Sequence, residues 1–234
     1  MEKRKHIVIL AAGDFPSHEI PLRTLREADF VVCCDSAYSK FSIFNSQFSI
    51  PFVVIGDGDS LSDKTKQELG DRWIHIAEQD YNDLHKAMQW ATARFSIFLP
   101  GSQGDMACDH SGANFQFSIL GATGRREDHT LGNTSYLATF ADEYPGIDLV
   151  MLTDHGRFRA VRGTHTFDSF PRQQVSIFSM NPDNPIDSEG LRWPLDAFRP
   201  HRWWQASLNE ALGNSFTLTA ADWLLVFQTY DPKA

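Results

Sequence analysis

Four short stretches place carboxylates where they could do chemistry. In VVIGDGDS, residues 53–60, an apolar run ends at Gly56 and two aspartates flank Gly58. Alternate residues of an extended chain point to one side, so Asp57 and Asp59 are expected to aim together from a strand end. Two like charges this close repel, and a divalent cation relieves the strain; magnesium takes hard oxygen ligands and bridges carboxylates to substrate phosphates. The same residues also suit a polar turn in which Asp accepts backbone hydrogen bonds. In QDYND, residues 79–83, Asp80 is expected to cap a helix and Asp83 to sit at its third position, three residues apart on one face. Capping and a favourable helix dipole account for that pair equally well. LGATGRREDHT, residues 120–130, reads as a strand end, a glycine loop and a helix that begins near Asp128. Gly121 and Gly124 permit close backbone approach, and N–H groups at such a helix start hold phosphate. An arginine here can stabilise charge on a transferring phosphoryl group; Arg126 is expected to do so, with Arg125 facing solvent. Asp128 either joins a metal cluster or orients a nucleophile, and His129 either lines the phosphate site or packs at the surface. VVCCDSA adds Asp35 just past another strand.

These residues need a frame that brings strand ends together. Buried strands are expected at 7–11, 30–34, 52–55, 73–76, 117–120 and 147–152, and helices at 17–27, 62–69 and 80–94. The last is the best periodic, with Leu84, Ala87, Met88 and Ala91 at i, i+3, i+4 and i+7. Alternating strands and helices imply a mainly parallel sheet covered on both faces. Its carboxyl edge, where such sheets bind ligands, would then carry Asp35, Asp57, Asp59, Asp80, Asp83 and Asp128. Past His155 the pattern changes to short β-type segments (RFRAVRG, THTFDSF, QQVSIFSM, GLRWPL, SFTLTA, DWLLVFQTY) separated by Asn-Pro and Gly-Asn turns. That pattern reads as an antiparallel sandwich or barrel. The expected division is an α/β domain at 1–156 and a β-sandwich domain at 157–234, within what ~150 residues per domain allows for 234. The Gly-, Ser- and Asp-rich stretch 100–114 reads as a long exposed loop.

A net charge of −9 argues against nucleic-acid binding through a broad basic face, while leaving room for a small anionic ligand held through a metal. Cys33, Cys34 and Cys108 form no CxxC pair and the nine histidines no HExxH, so neither a disulfide framework nor a structural zinc site is expected, and a reducing cytoplasm fits best. The apolar run 7–12 is short for a signal peptide and reads as a first strand; no run approaches a membrane span.

The ordered set CDSA, IGDGDS, QDYND and GATGRREDH resembles the thiamine pyrophosphokinase family, over residues 7 to about 140 and again at GLRWPL and SLNE. The resemblance implies a Rossmann-like N-terminal catalytic domain, a C-terminal β-sandwich that binds thiamine, and a homodimer with sites between subunits. It also implies transfer of a diphosphoryl group from ATP to thiamine, giving thiamine diphosphate and AMP. By the same resemblance Asp57, Asp59, Asp83 and Asp128 form a magnesium site. Arg126 contacts phosphate, with Asp35, Gly121, Gly124 and His129 around the nucleotide, and Gln79, Asp80, Trp193, Ser207 and Asn209 meet thiamine. Trp193 either stacks on the cationic ligand or packs in the sandwich core. Gly58 and Asn82 depart from the commoner family residues, and the stretch 95–117 is longer than the family's connection. Two other classes fit parts of the pattern: a DxD-type glycosyltransferase using a metal-bound nucleotide sugar, and a non-catalytic thiamine sensor.

Overall fold

The computed structural model describes residues 4–95 and 115–232. The stretch 100–114, expected as a loop, lies outside the described residues. The chain forms two compact units, Met1–Asp154 and His155–Ala234.

In the first unit β1 (Lys5–Leu10) pairs with β2 (Phe30–Cys34) on one side and β5 (Phe115–Leu120) on the other. Beyond β2 lie β3 (Phe52–Gly56) and β4 (Trp73–His75); beyond β5 lies β6 (Asp148–Leu152). The order is β6-β5-β1-β2-β3-β4 and every pairing is parallel, with Val8 opposite Val31, Val32 opposite Val53 and Ile9 opposite Ile119. Ile7 to Leu10 and Val31 to Cys34 are wholly buried, as continuous apolar runs must be when helices cover both faces. The chain steps outward from β1 to β4 and then returns to the far side of β1 as β5. A parallel sheet opens a ligand crevice at the carboxyl ends of the two strands where its order reverses in this way.

Among the described residues five α-helices connect these strands: α1 (Glu19–Arg26), α2 (Tyr38–Asn45), α3 (Asp63–Leu69), α4 (Asp83–Arg94) and α5 (Glu127–Glu143). Ser62 caps α3 through Oγ, which accepts the Thr65 N–H at 3.1 Å. For α4 the expected cap moves: Asn82, not Asp80, accepts the His85 N–H at 3.0 Å, so Asp83 is the first helical residue. Both residue types cap well, and the one directly before the buried period Leu84, Ala87, Met88, Ala91 takes the role. Helix α2 was not expected; it buries only Phe41, too little to leave a period.

The second unit is antiparallel throughout. RFRAVRG and THTFDSF, expected as separate strands, merge into β7 (Gly156–Asp168), and SFTLTA and DWLLVFQTY merge into β11 (Ser215–Pro232). Between them come β8 (Gln173–Ser179), β9 (Ile186–Glu189) and β10 (Asn209–Glu210). Strand β11 runs beside β7 for most of its length, pairs with β9 through Thr217 to Ala220, and with β8 through Leu224 to Gln228. The register breaks between Ala220 and Leu224, where one strand passes from one layer to the other, the usual way a sandwich turns its corner. Val175, Ile177, Leu218, Leu224 and Val226 fill the core. GLRWPL contributes only a bridge, Leu191 to Ala211.

Candidate active site

The loop after β3 turns rather than continuing as strand. Gly58 has φ +85°, and a Cβ there would meet the Lys66 side chain at 2.9 Å, which suits glycine at this position, where the resembled family more commonly carries a bulkier residue. The Asp59 N–H donates to Asp57 Oδ1 at 3.1 Å and Gln79 Nε2 donates to Asp57 Oδ2 at 3.2 Å. These two donors hold the Asp57 carboxyl below the ordinary range. Asp59 lies exposed in the turn, so the strand alternation expected to align the pair ends at Gly56. Asp35, in the 3-10 turn Asp35–Ala37 after β2, is 2% exposed and accepts the Gly58 N–H at 3.0 Å. Burial pushes its carboxyl up, against the backbone N–H groups of Ser60 and Gly58 that pull it down. It anchors the Asp57 loop from beneath, and its Oδ1 is buried without a partner.

Asp83 is raised chiefly by burial; Lys86 opposes this, while the charges of Asp57 and Asp35 add to it. Three carboxylates from β2, β3 and the start of α4 therefore feel one another. Lys86 answers them: its side chain is 3% exposed, and its Nζ lies 3.9 Å from Asp83 Oδ1. No periodic signal marked it: Lys86 lies two residues from Leu84, on the side of α4 away from the apolar set Leu84, Ala87, Met88 and Ala91. Asp80, exposed, gives its N–H to Glu78 Oε1. Asn82 Nδ2 donates to Asn133 Oδ1 at 3.0 Å and Asn133 Nδ2 to Ala122 O at 2.9 Å, which ties the α4 start to α5 and to the loop after β5.

That loop borders a cleft of about 270 Å³ lined by Ala12, Gly13, Ser36, Gly124, Arg125, Arg126, His129 and Asn133 among others. The cleft opens where β1 and β5 end, at the reversal of strand order. Gly121 and Gly124 have φ +63° and +80°, and a Cβ on Gly124 would overlap the Asp14 carboxylate. Arg126 forks onto Asp128, with Nη2–Oδ2 at 2.5 Å and Nε–Oδ1 at 3.1 Å. The fork lowers the Asp128 carboxyl and raises Arg126, both of them exposed side chains. Arg125, expected to face solvent, is exposed and also donates Nη1 to Ala12 O at 3.1 Å.

The four aspartates expected to make one magnesium cage are thus not gathered: Asp128 is engaged by Arg126 and Asp59 lies exposed in its turn. Among the described residues no group of three or more His, Cys, Asp or Glu side chains converges to hold a metal unaided. The donor chemistry of Asp57 and Asp83 fits a magnesium carried in by phosphates, since that ion is commonly bound through one or two carboxylates plus substrate oxygens.

In the second unit Trp193 is 50% exposed, so it is no core aromatic. Its backbone is clamped by Asn209: Oδ1 accepts the Trp193 N–H at 3.2 Å and the Glu210 N–H at 2.8 Å, and Nδ2 donates to Trp193 O at 2.7 Å. The Arg192 guanidinium sits 5.2 Å over the indole centroid. Ser207 Oγ donates to Trp204 O at 2.7 Å. Trp203, Trp204, Leu208 and Leu212 are also exposed.

Two family models match the chain in sequence: "Thiamin pyrophosphokinase, catalytic domain" at residues 22–151 and "Thiamin pyrophosphokinase, substrate-binding domain" at 156–227. The chain belongs to the thiamin pyrophosphokinase family. Thiamine pyrophosphokinase 1 of Oryza sativa subsp. japonica is 29% identical over 156 residues, 62% of this chain and 53% of that protein. Thiamine pyrophosphokinase 2 of the same plant is 27% identical over 216 residues, 82% and 73% of the two. The chain thus spans about half the length of the first of these relatives. The fold matches thiamin pyrophosphokinase from Candida albicans with a TM-score of 0.77 at 19% identity, covering 97% of this chain and 90% of that one. It matches yeast thiamin pyrophosphokinase with 0.75 at 15%, covering 98% and 87%. Within the thiamin pyrophosphokinase frame, the carboxylates and all of the cleft lining but Ala12 and Gly13 fall in the catalytic match, and Trp193, Ser207 and Asn209 in the substrate-binding one. No helix among the described residues is long and apolar enough to cross a membrane.

Proposed function

We propose that this chain is a thiamine diphosphokinase, transferring the diphosphoryl group of ATP to the hydroxyl of thiamine. The alcohol oxygen attacks the β-phosphorus in line, the bond to the α–β bridging oxygen breaks, and AMP leaves. The observation that carries this reading is the coincidence of a glycine-walled cleft at the sheet's reversal point with acidic groups from neighbouring strand ends, inside a chain matched by both family domains in order.

Transfers of this kind depend on positioning and charge neutralisation more than on covalent chemistry. Asp57 and Asp83 are the residues to hold magnesium, which when bound supplies positive charge against the triphosphate. Lys86 supplies a second, fixed positive charge to the same carboxylates. Arg126, forked onto Asp128 at the surface, would exchange that carboxylate for a phosphate, an anion that suits the same fork geometry. Gly121, Gly124 and His129 line the nucleotide side, and Asp35 holds the Asp57 loop in place. On the thiamine side Gln79 is oriented by Asp57. Trp193, held by Asn209 and already facing one cation, offers its other face to a cationic ring. Ser207 and Asp80 complete the proposed contacts, and a second copy of the chain is the partner that the exposed Trp203, Trp204 and Leu208 would suit.

The test is a coupled AMP-release assay. AMP should appear only with ATP, thiamine and magnesium together. Consumption of a sugar nucleotide instead would replace the reading with glycosyl transfer. Calorimetric binding of thiamine with no AMP under any divalent metal would make the protein a sensor.

A further inference from the structure

The cleft wall carries a residue other than glycine in the left-handed region. Arg125 has φ +59°, directly after Gly124 at +80°, so two successive residues are left-handed and only the first is glycine. A side chain of this size rarely adopts that region, and such outliers persist where the surroundings hold them, often at ligand sites. What holds Arg125 is visible. Its Nη1 donates to Ala12 O at 3.1 Å, and its Nε lies 3.8 Å from Asp14 Oδ1, in the loop that follows β1. That loop is itself joined to the loop after β5, through Gly13 N–H to Gly121 O at 2.6 Å and Asp14 N–H to Thr123 O at 2.9 Å. The guanidinium therefore lies on the rim where the cleft's two backbone walls meet.

The two arginines of the cleft differ in how firmly they are engaged. Arg126 makes a two-point fork with Asp128. Arg125 has one carbonyl and a loose, half-exposed ion pair, which leaves most of its five donors for an incoming anion. We propose that Arg125 is a phosphate-binding residue of this cleft, held left-handed so that its guanidinium leaves Asp14 for the polyphosphate chain of the nucleotide. The proposal deepens the diphosphokinase reading and rests on it for the identity of the ligand.

The test compares Arg125→Gly, which removes the guanidinium and relaxes the backbone, with wild type and with Arg4→Gln, a surface charge control. Binding of inorganic tripolyphosphate is followed by calorimetry and turnover by AMP release. Arg125→Gly should weaken tripolyphosphate and raise the ATP KM by about tenfold, the usual worth of a hydrogen bond to a charged group. Its thiamine KM should stay within about twofold of wild type and its Tm should be equal or higher, because a left-handed site suits glycine. Tripolyphosphate affinity unchanged in Arg125→Gly, or lowered equally in Arg4→Gln, overturns the proposal. If Arg125→Gly melts lower instead, Arg125→Lys decides. A lysine within about threefold of wild-type tripolyphosphate affinity upholds a phosphate role; one as weak as glycine reduces Arg125 to loop architecture. If wild type makes no AMP from thiamine while loss of Arg125 still weakens tripolyphosphate, the reaction is wrong and the phosphate site stands.

Discussion

The carboxyl edge of the parallel sheet and the Trp193 face of the sandwich solve opposite problems. At the sheet edge, polar groups are left wanting: Asp35 Oδ1 has no partner, Asp83 is pushed up by burial and by its acidic neighbours, and Lys86 is buried beside them. Around Trp193 the polar groups are spent, because Asn209 uses both ends of its amide to fix the main chain. Charge kept underpaired has its counterpart in a charged ligand, whereas an aromatic surface recognises best when its scaffold is fully bonded and still. The first region should therefore lose function without losing stability when altered, and the second should lose both when its Asn209 clamp is altered.

The sharpest break in that contrast would come from Asp57→Asn. An asparagine keeps an acceptor for the Asp59 N–H, so Tm should move little, while AMP release should fall by roughly a hundredfold or more, the scale of losing one preorganised electrostatic group. A matching fall in Tm would make Asp57 architectural. Asn209→Ala should act the other way. It strands the Trp193 and Glu210 N–H groups and should destabilise the protein by about 1–3 kcal/mol in denaturant unfolding, with thiamine KM rising alongside. Trp193→Ala separates the ring from its clamp: half-exposed, it should leave stability unchanged and weaken thiamine by about 0.5–2 kcal/mol, read as KM, with Trp193→Phe intermediate.

The smallest effect concerns pH. Asp83 is raised in the fold, so its ionised form weighs against folding. Stability from this group is gained as pH falls through the raised value toward the ordinary carboxylate value near 3.9, and is lost again as pH rises. Wild type should thus gain about 1–2 °C in Tm relative to Asp83→Asn across that window, measured by paired melts. A constant difference would remove Asp83 from the underpaired set.

Much of the frame was legible because period and punctuation agreed. The strands at 30–34 and 147–152 and the apolar face of α4 are dictated by runs that have nowhere to go but inside. Boundaries slipped where two good caps competed, at Asp80 and Asn82, and where a turn residue left one strand uncut, as at Gly163 within β7, paired with Ala220. The separate carboxylates were visible; how each is spent was not. That Asp128 answers to Arg126, and Asp35 to the Gly58 N–H, is a matter of loop conformation, set by left-handed residues whose partners lie far away in sequence. Lys86 was overlooked because it lies off the apolar period of α4, where a lysine reads as solvent-facing, and only the tertiary packing around it buries it.

The layer-crossing strand β11 has a consequence for how the sandwich comes into being. It is the neighbour of β7, β8 and β9 alike, yet it is the last strand of its unit to leave the ribosome. Until it emerges, those three have no common partner, and their open edges invite association with other nascent chains. Assembly must wait for long-range pairing, which is slow, so a shortened β11 should leave the first unit intact and the second one unassembled.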